Sequence, residues 1–229
     1  KAARLLIHTD NEYVYFISPK TQKTLTSSTT SSPAKISDIH YDRGMESSEN
    51  RDQLFMAVYD TNLTISSTST VPCTEITAID MKIASVFECD MDKIHYYGVA
   101  TSNGELVIHD YNTFEPVKRY IVAVAKVLSA KYDSKYGTVL FFYEHEIIRF
   151  DITTGNVHSH IDLNTNQEAG TIFDFKDELA LVGYKSGKIS IILCNKTGMV
   201  NLSHESCVFH SLEVTGFSIN TNFFISVSL

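Results

Sequence analysis

The sequence predicts an all-β fold built from repeated four-stranded antiparallel units. One apolar hairpin pattern recurs along the chain, and a further strand-like segment precedes each complete hairpin after the first. The copies are also spaced almost evenly.

The hairpins read LLIHTDNEYVYFI from Leu5, LFMAVYDTNLTIS from Leu54, YYGVATSNGELVIHD from Tyr96, TVLFFYEHEIIRFD from Thr138 and LALVGYKSGKISIIL from Leu179. FFISVSL from Phe223 is half a copy. Each is an apolar run, a short polar turn and a second apolar run, the pattern of a β-hairpin. The runs are short and rich in β-branched and aromatic residues, and they lack the i, i+3, i+4, i+7 spacing of a helix. The hairpins centre near Asn11, Asn62, Asn103 and Gly104, His145, and Ser186 and Gly187. Gly104, Gly155, Gly187 and Gly198 stand where a turn needs positive φ. The preceding strands are KISDIHYD from Lys35, IASVFECD from Ile83, VLSAKYD from Val127, TIFDFKD from Thr171 and VTGFSIN from Val214. A fourth strand can follow, as in PVKRYIVAV after Asp110 and NVHSHIDL after Gly155.

Asn62 and Gly104 lie 42 residues apart. A period of roughly 40–45 residues with four strands per copy marks a β-propeller blade. A blade cannot bury both faces alone, so it stacks on its neighbours. Val139, Phe141, Leu181, Ile189, Ile191 and Phe217 are therefore expected in the core between blades. The expected domain is a propeller over residues 1–229 with about five to six repeats, incomplete at both ends and part of a larger ring. Flexible loop insertions are expected over 26–33, inside the low-complexity stretch TLTSSTTSSP, and over 43–52 in RGMESSENRD.

Two segments, GELVIHDYNTFEPV from Gly104 and HEIIRFDITTGNV from His145, resemble the WD-repeat β-propeller family. They are similar to its second hairpin strand, its terminal aromatic–Asp dipeptide and the turn into the outer strand. His109–Asp110 and Phe150–Asp151 occupy the dipeptide position. The chain has no Trp, so the namesake dipeptide is absent, as is the Gly–His pair that often opens a repeat. The resemblance implies a non-catalytic scaffold subunit mediating protein–protein interactions in an intracellular multi-subunit assembly, in nucleus or cytoplasm with a lean to the nucleus. Two alternatives belong to other classes: an accessory propeller subunit of an RNA-processing or RNA-modifying complex, and a propeller enzyme.

Composition sets limits on these readings. Apolar residues make up 43% and charged residues 20%, as in an ordinary globular chain. The net charge of −8 argues against nucleic acid as the main ligand, because phosphate binding draws on a basic excess. Lys118, Arg119, Lys126 and Lys131 are the nearest approach to a basic patch, but they are scattered among apolar residues. Cys73, Cys89, Cys194 and Cys207 form no Cys-x-x-Cys pair and read as reduced, mostly buried thiols. Sequons at Asn62, Asn195 and Asn201 are expected by chance in a chain so rich in Ser and Thr. No apolar run approaches the ~20 residues of a membrane helix.

Candidate chemistry is sparse. His158, His160 and Asp162 alternate along one strand and could share a face, a pattern zinc can use. A solvated outer strand is the commoner origin of that pattern. Glu144, His145 and Glu146 form an acidic hairpin tip, where charge is ordinary. Asp90 and Asp92 lack the further ligands of a calcium loop, and His204 and His210 are too far apart for a local pair. No nucleophile elbow, phosphate loop or His-Glu-x-x-His helix occurs. No catalytic, cofactor or metal residue is assigned, and partner binding is expected on loops and turns.

Overall fold

The computed structural model describes the strands between residues 5 and 76 as backbone. From residue 82 onward it describes the chain except 112, 114, 164–167, 203–206, 221, 222 and 229. Among the described residues there is no helix. The chain divides into two compact units, Lys1–Ile83 and Ala84–Leu229.

The first unit carries two sheets. Strands β1 (Leu5–His8), β2 (Tyr13–Ile17) and β3 (Thr24–Thr29) form a three-stranded antiparallel sheet. Strands β4 (Ile36–Tyr41), β5 (Leu54–Tyr59), β6 (Asn62–Ser67) and β7 (Thr74–Ile76) form a four-stranded one. The expected insertion over 26–33 is corrected in its first part. Thr24–Thr29 is an outer strand paired with β2, because β-branched Thr suits a strand and Ser and Thr suit a solvated edge. Residues 30–33 and 43–52 lie outside the described residues.

The second unit repeats one plan. Strands β8 (Ile83–Met91), β9 (Ile94–Thr101), β10 (Glu105–Asp110) and β11 (Pro116–Ile121) pair in sequence order. So do β12 (Ser129–Asp133), β13 (Thr138–Phe142), β14 (Glu146–Asp151) and β15 (Asn156–Asp162). A third sheet holds β16 (Gly170–Lys176), β17 (Leu179–Tyr184), β18 (Lys188–Asn195) and β19 (Gly198–Asn201), with β20 (Cys207–Val208) also on β18. Strands β21 (Val214–Ile219) and β22 (Phe224–Ser228) form a two-stranded sheet. Consecutive antiparallel strands in four-stranded sheets are the blades of a propeller.

The sheets stack through three cores. Phe87, Leu106 and Ile108 meet Val139, Phe141 and Phe150 between the β8–β11 and β12–β15 sheets. Leu140, Phe142 and Ile147 meet Phe173, Val182 and Ile192 on the next interface. All five residues of β13 are buried, because one face packs on each neighbour. That arrangement explains why TVLFF is a continuous apolar run and not an alternating one. The last interface gathers Leu181, Ile189, Val214 and Ile219. Val139, Phe141, Leu181 and Ile189 are buried as expected. Ile191 and Phe217 are corrected: both are half-buried at the edge of the last core. The sheet packed there is two strands wide against four, so its cover is partial.

Candidate functional site

The turns joining the second and third strands of successive blades share a backbone plan. The Ser102 carbonyl accepts from Val127 N and the Glu144 carbonyl from Gly170 N, in each case the chain entering the next blade. One layer further, the Gly104 carbonyl accepts from Val122 N, the His145 carbonyl from Leu163 N and the Gly187 carbonyl from Phe209 N and His210 N. These bonds tie the chain leaving the outer strand to the turn.

The side chains break the repeat. Gly104 and Gly187 have φ of 89° and 79°, and a Cβ on either would sit 1.8 Å or 1.9 Å from the carbonyl oxygen of Ala123 or His210. Only glycine fits there. The middle blade uses a tighter turn, Glu144–His145, closed by a hydrogen bond from Tyr143 N to the Glu146 carbonyl at 2.9 Å. This turn carries two exposed polar side chains.

A cavity of about 450 Å³ lies at this turn, lined by Ala125, Lys126, Tyr143, Glu144, His145, Glu146, His160 and Asp162. Strand register explains how the two polar motifs meet. Glu146 stands opposite Asp162, and Ile148 opposite His160, so Asp162 and His160 follow one another on the face that Glu146 shares. Glu144, His145, Glu146, His160 and Asp162, which the sequence presents as two unrelated groups, thus border one space. His158 falls at the bulge between Arg149 and Phe150 and does not line it.

Tyr143 forms one wall. It is 4% exposed, and its phenol oxygen has no hydrogen-bond partner. Burial, with the Glu146 charge adding to it, pushes its pKa up to about 12, so the group is a neutral phenol at neutral pH. Among the described residues no three His, Cys, Asp or Glu side chains gather to hold a metal ion.

A second polar centre lies inside the same blade and is structural. Arg149 is 1% exposed. Its Nη2 meets Asp133 Oδ2 at 2.9 Å and its Nε donates to Thr138 Oγ1 at 2.9 Å. Its Nη1 donates to the Asn195 carbonyl of the adjoining sheet. The guanidinium lies 4.7 Å from the Tyr136 ring centre, a cation–π distance. Burial pushes the Asp133 carboxyl above its usual range, against the pull of Arg149. Nearby, Glu178 accepts from the Tyr136 hydroxyl and pairs with Lys135 Nζ at 2.7 Å, and these contacts hold its carboxyl below the usual range. Sequence reasoning missed this centre. Its signal was the one charge inside the apolar strand EIIRFD.

The other candidates are dispersed. Asp90 pairs with His95 at 2.5 Å and Asp92 sits in the β8–β9 turn at φ 51°. His210 Nε2 shares a hydrogen bond with Ser226 at 2.7 Å, and His204 lies outside the described residues. Of the basic residues, Arg119 pairs with Glu105 and Lys131 with Asp174, both at 3.2 Å, Lys118 is exposed, and Lys126 lines the cavity. Cys89 and Cys194 are buried free thiols. Cys73 and the side chain of Cys207 lie outside the description. Asn195 is committed to its turn: its side-chain oxygen accepts from Thr197 N, Thr197 Oγ1 and Gly198 N.

No family model and no curated protein matches the sequence. Solved structures do. The chain is similar to Sqt1 of Saccharomyces cerevisiae, with a TM-score of 0.72 at 15% identity, covering 96% of this chain and 64% of that one. A computationally designed protein, Ika8, gives 0.70 at 13% identity, covering 100% and 66%. A chain in the crystal structure of the mitotic checkpoint complex gives 0.70 at 11%, covering 92% and 65%. The chain therefore spans slightly less than two thirds of the length of each. At these identities the likeness is one of fold, and with four-stranded antiparallel sheets that fold is a β-propeller built from blades of the WD-repeat kind.

Proposed function

We propose that the chain is a non-catalytic scaffold subunit that holds protein partners in an intracellular multi-subunit assembly, with its turns and outer strands as contact surfaces. The observation that carries this reading is the division of labour within each blade. Strands such as β13 and β17 are buried almost throughout, so their side chains are taken up by blade packing. The outer strands β11 and β15 and the turn at Glu144 present mostly exposed residues. Chemistry available to a partner is therefore gathered at the rims, on a rigid frame. A similar propeller chain sits within a complex, the mitotic checkpoint complex, and this supports the same kind of role here. The net charge of −8 favours proteins over RNA as partners. A nuclear assembly is the preferred setting, on the breadth of the family that the chain resembles.

Affinity purification of the full-length protein with mass spectrometry tests the proposal. A reproducible set of subunits in fixed proportion is the expected result. Deletion of residues 43–52 is expected to remove at least one of them. A protein that recovers no partner, or that turns over a substrate and loses this on a point change, would overturn the reading.

A further inference from the structure

We propose that the cavity at the β13–β14 turn receives the basic side chain, arginine or lysine, of a peptide segment in a partner protein. The inference rests on the scaffold reading and gives one contact its chemistry.

Three observations carry it. The first is charge: Glu144, Glu146 and Asp162 line the cavity against a single lysine, Lys126. With the histidines neutral this is a net −2 site on a chain of net charge −8, so the local and the overall field both draw in cations. The second is Tyr143, whose buried phenol oxygen is unpartnered in a wall of that cavity. A buried polar atom that the chain itself leaves unpaired is where a ligand atom gains most. A guanidinium or ammonium offers several N–H donors, to the carboxylates and to the phenol oxygen together. The peptide carbonyls flanking it offer an acceptor for the phenol hydrogen, which a bare metal ion cannot do. The third is preorganisation. The carbonyls of Glu144 and His145 are pinned by Gly170 N at 2.8 Å and Leu163 N at 2.7 Å, so the turn is set before anything binds. Held geometry lowers the ordering cost of binding.

The cavity also lies where the repeat departs from itself. At the matching turns beside Gly104 and Gly187 the returning chain closes down on the glycine. At Glu144–His145 the side chains and the space replace that contact. The cavity is bounded by the edge strand β15, so an extended segment can reach it from outside the blade.

The test titrates full-length protein, labelled with carbon-13 in its tyrosine rings, with a short capped Gly/Ser peptide carrying one central arginine. Peptides carrying lysine or citrulline in its place run alongside. The tyrosine resonance missing from the Tyr143→Phe variant is expected to shift saturably with arginine and lysine and not with citrulline. Affinity is expected to fall about tenfold in Glu146→Gln/Asp162→Asn, and to weaken as salt rises. Glu144→Gln, an exposed turn position, is the second variant should the first fail to fold, and it is expected to weaken binding by a few-fold. Equal binding of citrulline, unchanged affinity in the carboxylate variants, or no saturable shift would overturn the inference. If partners still co-purify while the arginine peptide does not bind, this inference alone falls. If the arginine peptide binds and no partner co-purifies, the scaffold reading falls and the cavity chemistry stands.

Discussion

Replacing Arg149 with Met tests whether the buried charge centre joins neighbouring blades. Arg149 and Asp133 are 1% and 3% exposed, and the ion pair is reinforced by Thr138 and by the Asn195 carbonyl across the sheet interface. Met keeps most of the side-chain volume and removes the charge. Asp133 is then a buried carboxylate without its cation, and removing one partner of such a pair costs about 3–5 kcal/mol. The orphaned Thr138 hydroxyl and Asn195 carbonyl fall within that sum rather than adding to it. Asp133→Asn in the same chain is expected to recover roughly 2 kcal/mol, because a neutral amide is cheaper to bury than a lone carboxylate. The amide oxygen can still accept from Lys135 N, as the carboxylate does at 3.1 Å.

The pH dependence has a definite sign. Burial already raises the Asp133 carboxyl above its usual value, and losing Arg149 removes the main pull downward. A carboxyl raised in the folded state binds protons more tightly there than in the unfolded chain. The deficit of Arg149→Met should therefore shrink as pH falls from neutral through the raised value toward 3.8. Urea unfolding followed by circular dichroism and tyrosine fluorescence measures the cost, and hydrogen exchange should show lost protection in β12–β19 before β8–β11. A cost under about 1 kcal/mol, or a double variant no better than the single, would refute the reasoning.

Three further outcomes follow from packing and titration. Phe141→Ala should cost about 3–5 kcal/mol, whereas half-buried Phe217→Ala should cost about 1–2 kcal/mol; equal losses in the same urea assay would contradict the placement of these rings. Burial pushes the Cys89 and Cys194 thiols up to about 12, so iodoacetamide at pH 8 should leave both unmodified in native protein and alkylate both in urea, read by peptide mass spectrometry. Glu178 is held below its usual 4.5 by Lys135 and Tyr136, so the stability advantage of wild type over Glu178→Gln should be fully present above pH 4.5 and vanish as pH falls through the lower folded value; an advantage that grows in acid would contradict those contacts.

Most of the architecture is legible in the residues because blade packing forces repetition. Each inner strand is buried on both faces, so it is written as a short continuous apolar run. The turns between runs carry the glycines or short polar pairs that a tight reversal needs. That is why KISDIHYD, IASVFECD, VLSAKYD, TIFDFKD and VTGFSIN emerge as β4, β8, β12, β16 and β21. The outer strand is harder to read, because it has little burial to enforce a pattern. TLTSST looks like a linker and is β3. The extent of burial was also hidden: nothing in VTGFSI says that the sheet beside it is two strands wide, which leaves Phe217 half-exposed. The cavity was legible only in pieces. Glu144–Glu146 and His160–Asp162 each look like solvated charge, and it takes the β14–β15 register to place them together. Arg149 stood in plain view, but without its partners a charge in an apolar strand has no direction.

The blade repeat also explains why chemistry can collect at the Glu144 turn without harming the fold. The bonds that hold successive turns are made by backbone groups: the carbonyls of Ser102 and Glu144 serve one layer, those of Gly104, His145 and Gly187 the next. A backbone bond is indifferent to the side chain beside it, provided the turn leaves room. Where the returning chain presses on the turn, as at Gly104 and Gly187, room is lacking and the position is fixed as glycine. Where the turn is two residues long, the same bonds form and the side chains are free to be Glu and His. Changes at Glu144 and His145 should therefore alter what the cavity binds while leaving stability within about 0.5 kcal/mol, as at ordinary surface sites. Placing Ala at Gly104 or Gly187 should instead destabilise the blade with no change of ligand chemistry. Paired unfolding and peptide-binding measurements on Glu144→Gln and Gly187→Ala decide the matter. A Glu144→Gln variant that loses stability as Gly187→Ala does would mean that the turn side chains are part of the frame and not free of it.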